Sequence, residues 1–174
     1  MSFEADLVVW LPVLRRYAYA LTGDSAWADD LVQDTVERAL NRWRGLPSRH
    51  NLRAWLLTIL RHLYIDQLRK RREIAIDDDA APWCNLPAPV GEIDGLFLRD
   101  VQHALYRLSI EQREVLLLVA LEELSYEEAS AVLKIPVGTV MSRLSRAREH
   151  MRALMVTQES STEKPALKVV RSPP

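Results

Sequence analysis

A chain of 174 residues with a hydrophobic fraction of 48% carries enough apolar surface for one medium core or two small ones. No apolar run approaches the roughly 18 residues of a membrane span, and Met1-Ser2-Phe3-Glu4-Ala5-Asp6 lacks the basic start of a secretory signal, so a cytosolic protein without membrane insertion is expected. The single cysteine, Cys84, excludes an internal disulfide framework, and the net charge of −1 averages over acidic and basic blocks that lie apart along the chain.

Phe3, Leu7, Leu11, Leu14, Ala18 and Leu21 recur at three- and four-residue spacing and predict a first helix ending near Thr22-Gly23. Asp24 or Ser25 is placed to cap a second helix, whose apolar face reads Trp27, Leu31, Val32, Val36, Ala39, Leu40 and Trp43 and which stops before Gly45-Leu46-Pro47. Its early residues are acidic, with Asp24, Asp29, Asp30 and Asp34 in one block. A third helix follows the polar loop Ser48 to Asn51, with Leu52, Trp55, Leu56, Ile59, Leu60 and Leu63 as its buried stripe. Between Asn51 and Arg72 the charges are Arg53, Arg61, Arg69, Lys70, Arg71 and Arg72 against Asp66 alone, the electrostatic footprint of phosphate contact.

Residues 73 to about 91 break the periodicity with Asp77-Asp78-Asp79, Pro82, Pro87 and Pro89, and read as a linker. Helical spacing resumes at Ile93, Leu96, Phe97, Val101, Leu105 and Leu108, and the apolar run Val115 to Leu121 reads as a fully buried helix. Past Met155, residues 157–174 are polar and non-periodic and are expected to be disordered. His50, His62, His103 and His150 fall in four segments without ligand spacing, so neither a metal nor a cofactor is implied.

The segment Leu124 to Leu144 carries the most chemistry. Ser125 with Glu128 three residues on is a capping box, Ala129, Val132 and Leu133 make a short helix, and the turn falls at Lys134-Ile135-Pro136. Pro136 cannot extend that helix but suits the start of the next, whose inner face is Val137, Val140, Leu144 and Ala147. Thr139, Ser142, Arg143, Arg146 and, round the edge, Arg148 are left facing outward, with hydroxyls for phosphate and guanidinium groups for guanine or phosphate. This pattern reads as a helix-turn-helix with an outer face suited to a DNA groove, against the plainer reading of a helical hairpin with solvated basic residues.

The run Ile135 to Arg148 closely resembles the C-terminal region of the extracytoplasmic-function sigma factors, and Leu108 to Val115 looks like the opening of the same domain. Independently, Ala28-Asp29-Asp30-Leu31-Val32-Gln33-Asp34-Thr35 resembles the family helix that grips the RNA polymerase clamp. Trp55-Leu56 with Arg61-His62-Leu63-Tyr64-Ile65-Asp66 and the basic run after it resembles the family's promoter-melting helix. The match covers about residues 5 to 155 in the family's order. It departs at His62, where relatives often carry Asn, and at Lys134 and Glu123, each in place of a frequent Gly.

The resemblance implies an all-α protein of two small helical domains: a sigma region 2-like bundle over residues 1–72, linker 73–91, and a region 4-like helix-turn-helix over residues 92–156. It implies core RNA polymerase and promoter DNA as partners, with an anti-sigma factor as regulator. On that basis Asp30, Leu31, Gln33 and Asp34 are expected to dock polymerase. Asn51, Trp55, Arg61, His62, Arg69, Lys70 and Arg71 are expected to serve the −10 element, and Thr139, Ser142, Arg143, Arg146 and Arg148 the −35 element. The Asp77-Asp78-Asp79 run would lie in the RNA path of the polymerase. A repressor or activator using the same motif would need a sensor or dimerisation domain where this chain has its acidic and basic helices. An enzyme built on Asp29 and Asp30 lacks an acid–base partner.

Overall fold

The structure, a computed structural model, describes residues 3–43, 51–75 and 94–161, and among these there is no strand. Cys84, Asp77 to Asp79, the loop from Pro47 to His50 and the linker expected after Ala75 lie outside the described residues.

Three helices form the N-terminal bundle: α1 (Phe3–Thr22), α2 (Ser25–Arg42) and α3 (Leu52–Ala75). Helix α1 ends because Gly23 takes φ 69°, a left-handed angle that costs glycine little, while its N–H still bonds Tyr19 O at 2.8 Å. The Asp24 carboxylate then accepts from Trp27 N at 2.8 Å, so Asp24 is the cap of α2. Leu7, Leu14, Ala18 and Leu21 of α1 meet Leu31, Val32 and Ala39 of α2 and Leu56, Leu60 and Leu63 of α3 in the interior. Phe3 stacks on Trp43 at 5.2 Å, closing one end of the bundle.

The C-terminal half consists of α4 (Asp94–Arg107), α5 (Ile110–Leu116), a π-helical turn (Leu117–Leu121), α6 (Tyr126–Leu133) and α7 (Val137–Ser161). Ser109 caps α5, its hydroxyl accepting from Gln112 N. The Val115 to Leu121 run is helical but not uniformly buried: Val115 and Leu118 are enclosed, Ala120 is exposed, and the π turn rotates the side chains that follow it. Two boundaries extend past their sequence-based positions. Helix α3 continues through Glu73, Ile74 and Ala75, and α7 through Thr157 to Ser161, which were expected to be disordered. No Gly or Pro stands in either extension to stop it.

The two halves pack on each other. Helix α3 lies against α6, α1 against the π turn, and the apolar cores merge into one cluster from Phe3 to Ala147.

Candidate nucleic-acid interface

The helix-turn-helix forms as its residue types dictate. Ser125 Oγ accepts from Glu128 N at 3.1 Å while the Glu128 carboxylate accepts from Ser125 N at 2.9 Å, the reciprocal bonds of a capping box. Helix α6 ends at Lys134, whose φ of 54° and ψ of 46° are left-handed, and Ser130 Oγ donates to Ile135 O at 2.5 Å to hold the turn. Pro136 O then accepts from Thr139 N and Val140 N, so the proline opens α7 without needing a donor of its own. Val140, Leu144 and Ala147 bury the inner face of α7.

Of the residues expected to read DNA, Ser142 and Arg146 are exposed and Thr139 and Arg143 half-buried on the same side of α7. Arg143 lies near enough to Glu114 for its charge to favour the carboxylate. Arg148 is exposed as well. Nine residues beyond Thr139, it lies about half a turn round the helix and lines an apolar groove with Leu116, Met151 and Met155.

On α3, Arg69, Lys70 and Arg71 are exposed, and the Arg71 guanidinium sits 3.9 Å from the centroid of the Trp27 ring. Trp55 is half-buried, its ring edge-on to Phe3 at 6.5 Å. His62 is half-buried too, and burial first, then the charges of Lys134 and Arg61, lower its pKa. Asn51 caps α3 through Oδ1, which accepts from Ala54 N at 3.1 Å, while its Nδ2 donates to Glu128 Oε1 at 3.0 Å. One carboxylate therefore serves its own capping box and the cap of a helix in the other half.

On α2, Asp30 and Gln33 are exposed, and Asp34 accepts from Gln67 Nε2 at 3.1 Å. Gln67 Oε1 in turn accepts from Trp27 Nε1 at 2.6 Å. Leu31 corrects the expected docking set: it is 0% exposed and belongs to the core, supporting α2 from within.

Sequence reasoning missed the charges between the halves. Glu114 and Glu122 are 1% and 0% exposed, aligned with buried Leu118 on one stripe that faces the N-terminal bundle. Arg16 meets Glu122 with two bonds, Nε to Oε1 at 3.0 Å and Nη2 to Oε2 at 2.9 Å. Arg53 Nη2 reaches Glu122 Oε2 at 3.2 Å and also donates to Glu122 O. Arg61 Nη2 donates to Glu114 Oε2 at 3.1 Å; its Nε is 2.9 Å from Oε1, an ion pair without hydrogen-bond alignment. Burial pushes the Glu114 carboxyl up, with Arg61 pulling the other way. Arg113, also buried, stacks on Tyr106 and donates to Leu105 O at 3.0 Å and Leu21 O at 3.3 Å. Tyr106 OH lies within hydrogen-bond reach of Tyr19 O at 3.2 Å and Ala20 O at 3.4 Å, so with Arg113 on Leu21 O the last carbonyls of α1 meet donors from the other half. The available signal was charge at core spacing, with Glu114, Leu118 and Glu122 four residues apart around an apolar run.

Residues 7–61 match the family described as "Sigma2 domain of PhyR", and residues 98–151 the family "Sigma-70, region 4". The chain is 40% identical over 154 residues to the ECF RNA polymerase sigma factor EcfG of Rhodopseudomonas palustris, spanning 88% of this chain and 85% of that one. It superposes on the sigma factor RpoE of Bartonella quintana, solved in complex with the anti-sigma factor NepR, with TM-score 0.78, 34% identity, and 93% and 98% of the two chains covered. CnrH, solved with the cytosolic domain of CnrY, matches with TM-score 0.69 and 26% identity over 89% of this chain and 88% of that one.

Proposed function

This chain belongs to the ECF RNA polymerase sigma factors, proteins of promoter-specific transcription initiation, and from that premise we propose how its parts divide the work. Residues 1–72 act as the region 2-like unit on core polymerase and the −10 element, residues 73–91 link, and residues 92–156 act as the region 4-like unit on the −35 element. The observation that carries this reading is α7, which follows a left-handed turn and presents Thr139, Ser142 and Arg146 together on its outer side. Arg143 joins them from the edge nearer Glu114. On α3 the exposed Arg69, Lys70 and Arg71 hold the backbone of the melted strand, and Asn51, Trp55, Arg61 and His62 form the face beside it.

The chemistry is binding, not catalysis. Contacts to single-stranded DNA offset an unpairing cost of a few kcal/mol, so no bond need be hydrolysed. Core polymerase docks on α2 through Asp30, Gln33 and Asp34, the protein works in the cytosol, and an anti-sigma factor holds it inactive, as RpoE of B. quintana is found with NepR.

Adding the purified protein to core polymerase and a promoter library tests the whole reading; absence of both holoenzyme and transcripts rejects it. For the −35 contact, Arg146→Ala should weaken duplex binding by roughly 1–3 kcal/mol, and unchanged binding removes Arg146 from the contact. For docking, Asp30→Lys is a cleaner probe than a change at Asp34, because Asp34 also holds Gln67. It should impair holoenzyme formation and leave the far-UV circular dichroism unchanged.

A further inference from the structure

Two stripes of side chains meet between α2 and α3. Trp27 and Asp34 stand two turns apart on α2, and Tyr64, Gln67 and Arg71 recur at three- and four-residue spacing along α3. Trp27 is 6% exposed, and its ring packs against that of Tyr64 at 5.6 Å. Its Nε1 donates to Gln67 Oε1 at 2.6 Å, and Gln67 Nε2 donates to Asp34 Oδ2 at 3.1 Å. An indole N–H only donates and a carboxylate only accepts, so the carboxamide between them has one orientation and the ring one setting. The exposed guanidinium of Arg71 sits over that ring, 3.9 Å from its centroid. Stacking uses the flat face of the guanidinium and leaves the N–H groups around its rim to fork onto a phosphate. A long side chain loses rotamer freedom when it grips a ligand, whereas one already stacked has lost that freedom on folding.

We propose that Trp27 and Gln67 are positioning residues for strand binding: the Trp27 ring, set by Gln67 against Asp34, holds the Arg71 guanidinium where a backbone phosphate of the melted strand meets it. This role rests on the strand contact proposed above for Arg71. Trp27 and Gln67 need not touch DNA, because they act through Arg71. The platform for a strand contact on α3 thus stands on α2, the helix proposed to dock polymerase, two turns from Asp34.

The test is a double-mutant cycle on holoenzyme binding a fluorescent oligothymidylate. Core polymerase is saturated with the full chain, so that weaker docking does not enter the readout. Arg71→Ala should lower affinity and reduce the slope of log affinity against log salt by about 0.7, the value of one phosphate contact on a single strand. Trp27→Leu should lower affinity about fivefold when Arg71 is present and by less than about twofold in the Arg71→Ala background. A Trp27 that only supports the fold would give the same loss in both backgrounds, and that result overturns the proposal, as does no loss in either. Gln67→Leu, at a half-buried position, is the second variant. If Trp27→Leu does not fold, a Gln67→Leu loss confined to the background that keeps Arg71 supports the proposal, and an equal or absent loss overturns it. Arg71→Ala without effect on affinity or salt slope removes Arg71 from the strand contact and the positioning role with it. An Arg71 effect without coupling to Trp27 or Gln67 rejects the positioning role alone and leaves the strand contact standing.

Discussion

His62 shows how much one side chain depends on the partner half. Its imidazole is disfavoured as a cation by burial first and then by Lys134, which belongs to the helix-turn-helix; Arg61 and Arg38 add to the effect and Asp66 opposes it. The folded chain therefore takes up this proton less readily than the unfolded chain, in which histidine titrates near pH 6.5. Stability from this group is complete above that value and is lost as pH falls through it toward the lower folded value. Unfolding free energy by urea titration should thus be smaller at about pH 5.5 than at about pH 7.5, and His62→Asn should flatten that difference. An unaltered difference in the variant assigns the pH dependence elsewhere. Glu114, with its carboxyl pushed up, acts in the opposite sense, so comparing variant with wild type isolates the imidazole.

At the scale of elements, the sequence was most readable where local chemistry decides the outcome. The stripe Phe3, Leu7, Leu14, Ala18 and Leu21 forms the inner face of α1, Asp24 caps α2, and the Ser125–Glu128 box and the turn at Lys134 stand where the residue types place them. Less readable were features set by packing between elements. Leu31, which the apolar spacing of α2 places inside, is fully buried although the docking set had it outside, and Arg148 lies about half a turn from Thr139, because side-chain direction follows helix phase and not proximity in sequence. The π turn was hidden for the same reason: an apolar run has no periodicity from which to read a change of winding. The turn between α6 and α7 carries a measurable strain, since Lys134 occupies the left-handed region where a Cβ is crowded. Lys134→Gly should relieve it and raise stability by about 0.5–1 kcal/mol after the greater freedom of glycine in the unfolded chain is deducted. A shift of the urea midpoint to lower concentration would show that the lysine side chain contributes more than its backbone angle costs.

For the whole molecule, the resemblance and the linker composition led to the expectation of two small helical domains joined by a linker, and the described residues of the two halves close on one another. What periodicity does not reveal is that Glu114 and Glu122, charged and at core spacing, belong to an interface between halves; a single stripe records burial, not what buries it. The continuous apolar cluster and the buried pairs predict that the halves unfold together. Every tryptophan among the described residues, Trp10, Trp27, Trp43 and Trp55, lies in the N-terminal bundle, so tryptophan fluorescence follows mainly that half and far-UV circular dichroism follows both. In wild type the two signals should trace one urea transition, as coincident probes do when unfolding is cooperative. Removing one partner of a buried ion pair typically costs about 3–5 kcal/mol because the other charge is left unpaired, and separation of the halves lets that charge regain water. Arg61→Ala strands Glu114 in this way and should split the transition into two, the fluorescence midpoint parting from the circular dichroism midpoint. Coincident transitions in Arg61→Ala would mean that the apolar cluster alone couples the halves and that the ion pairs set only how they are oriented.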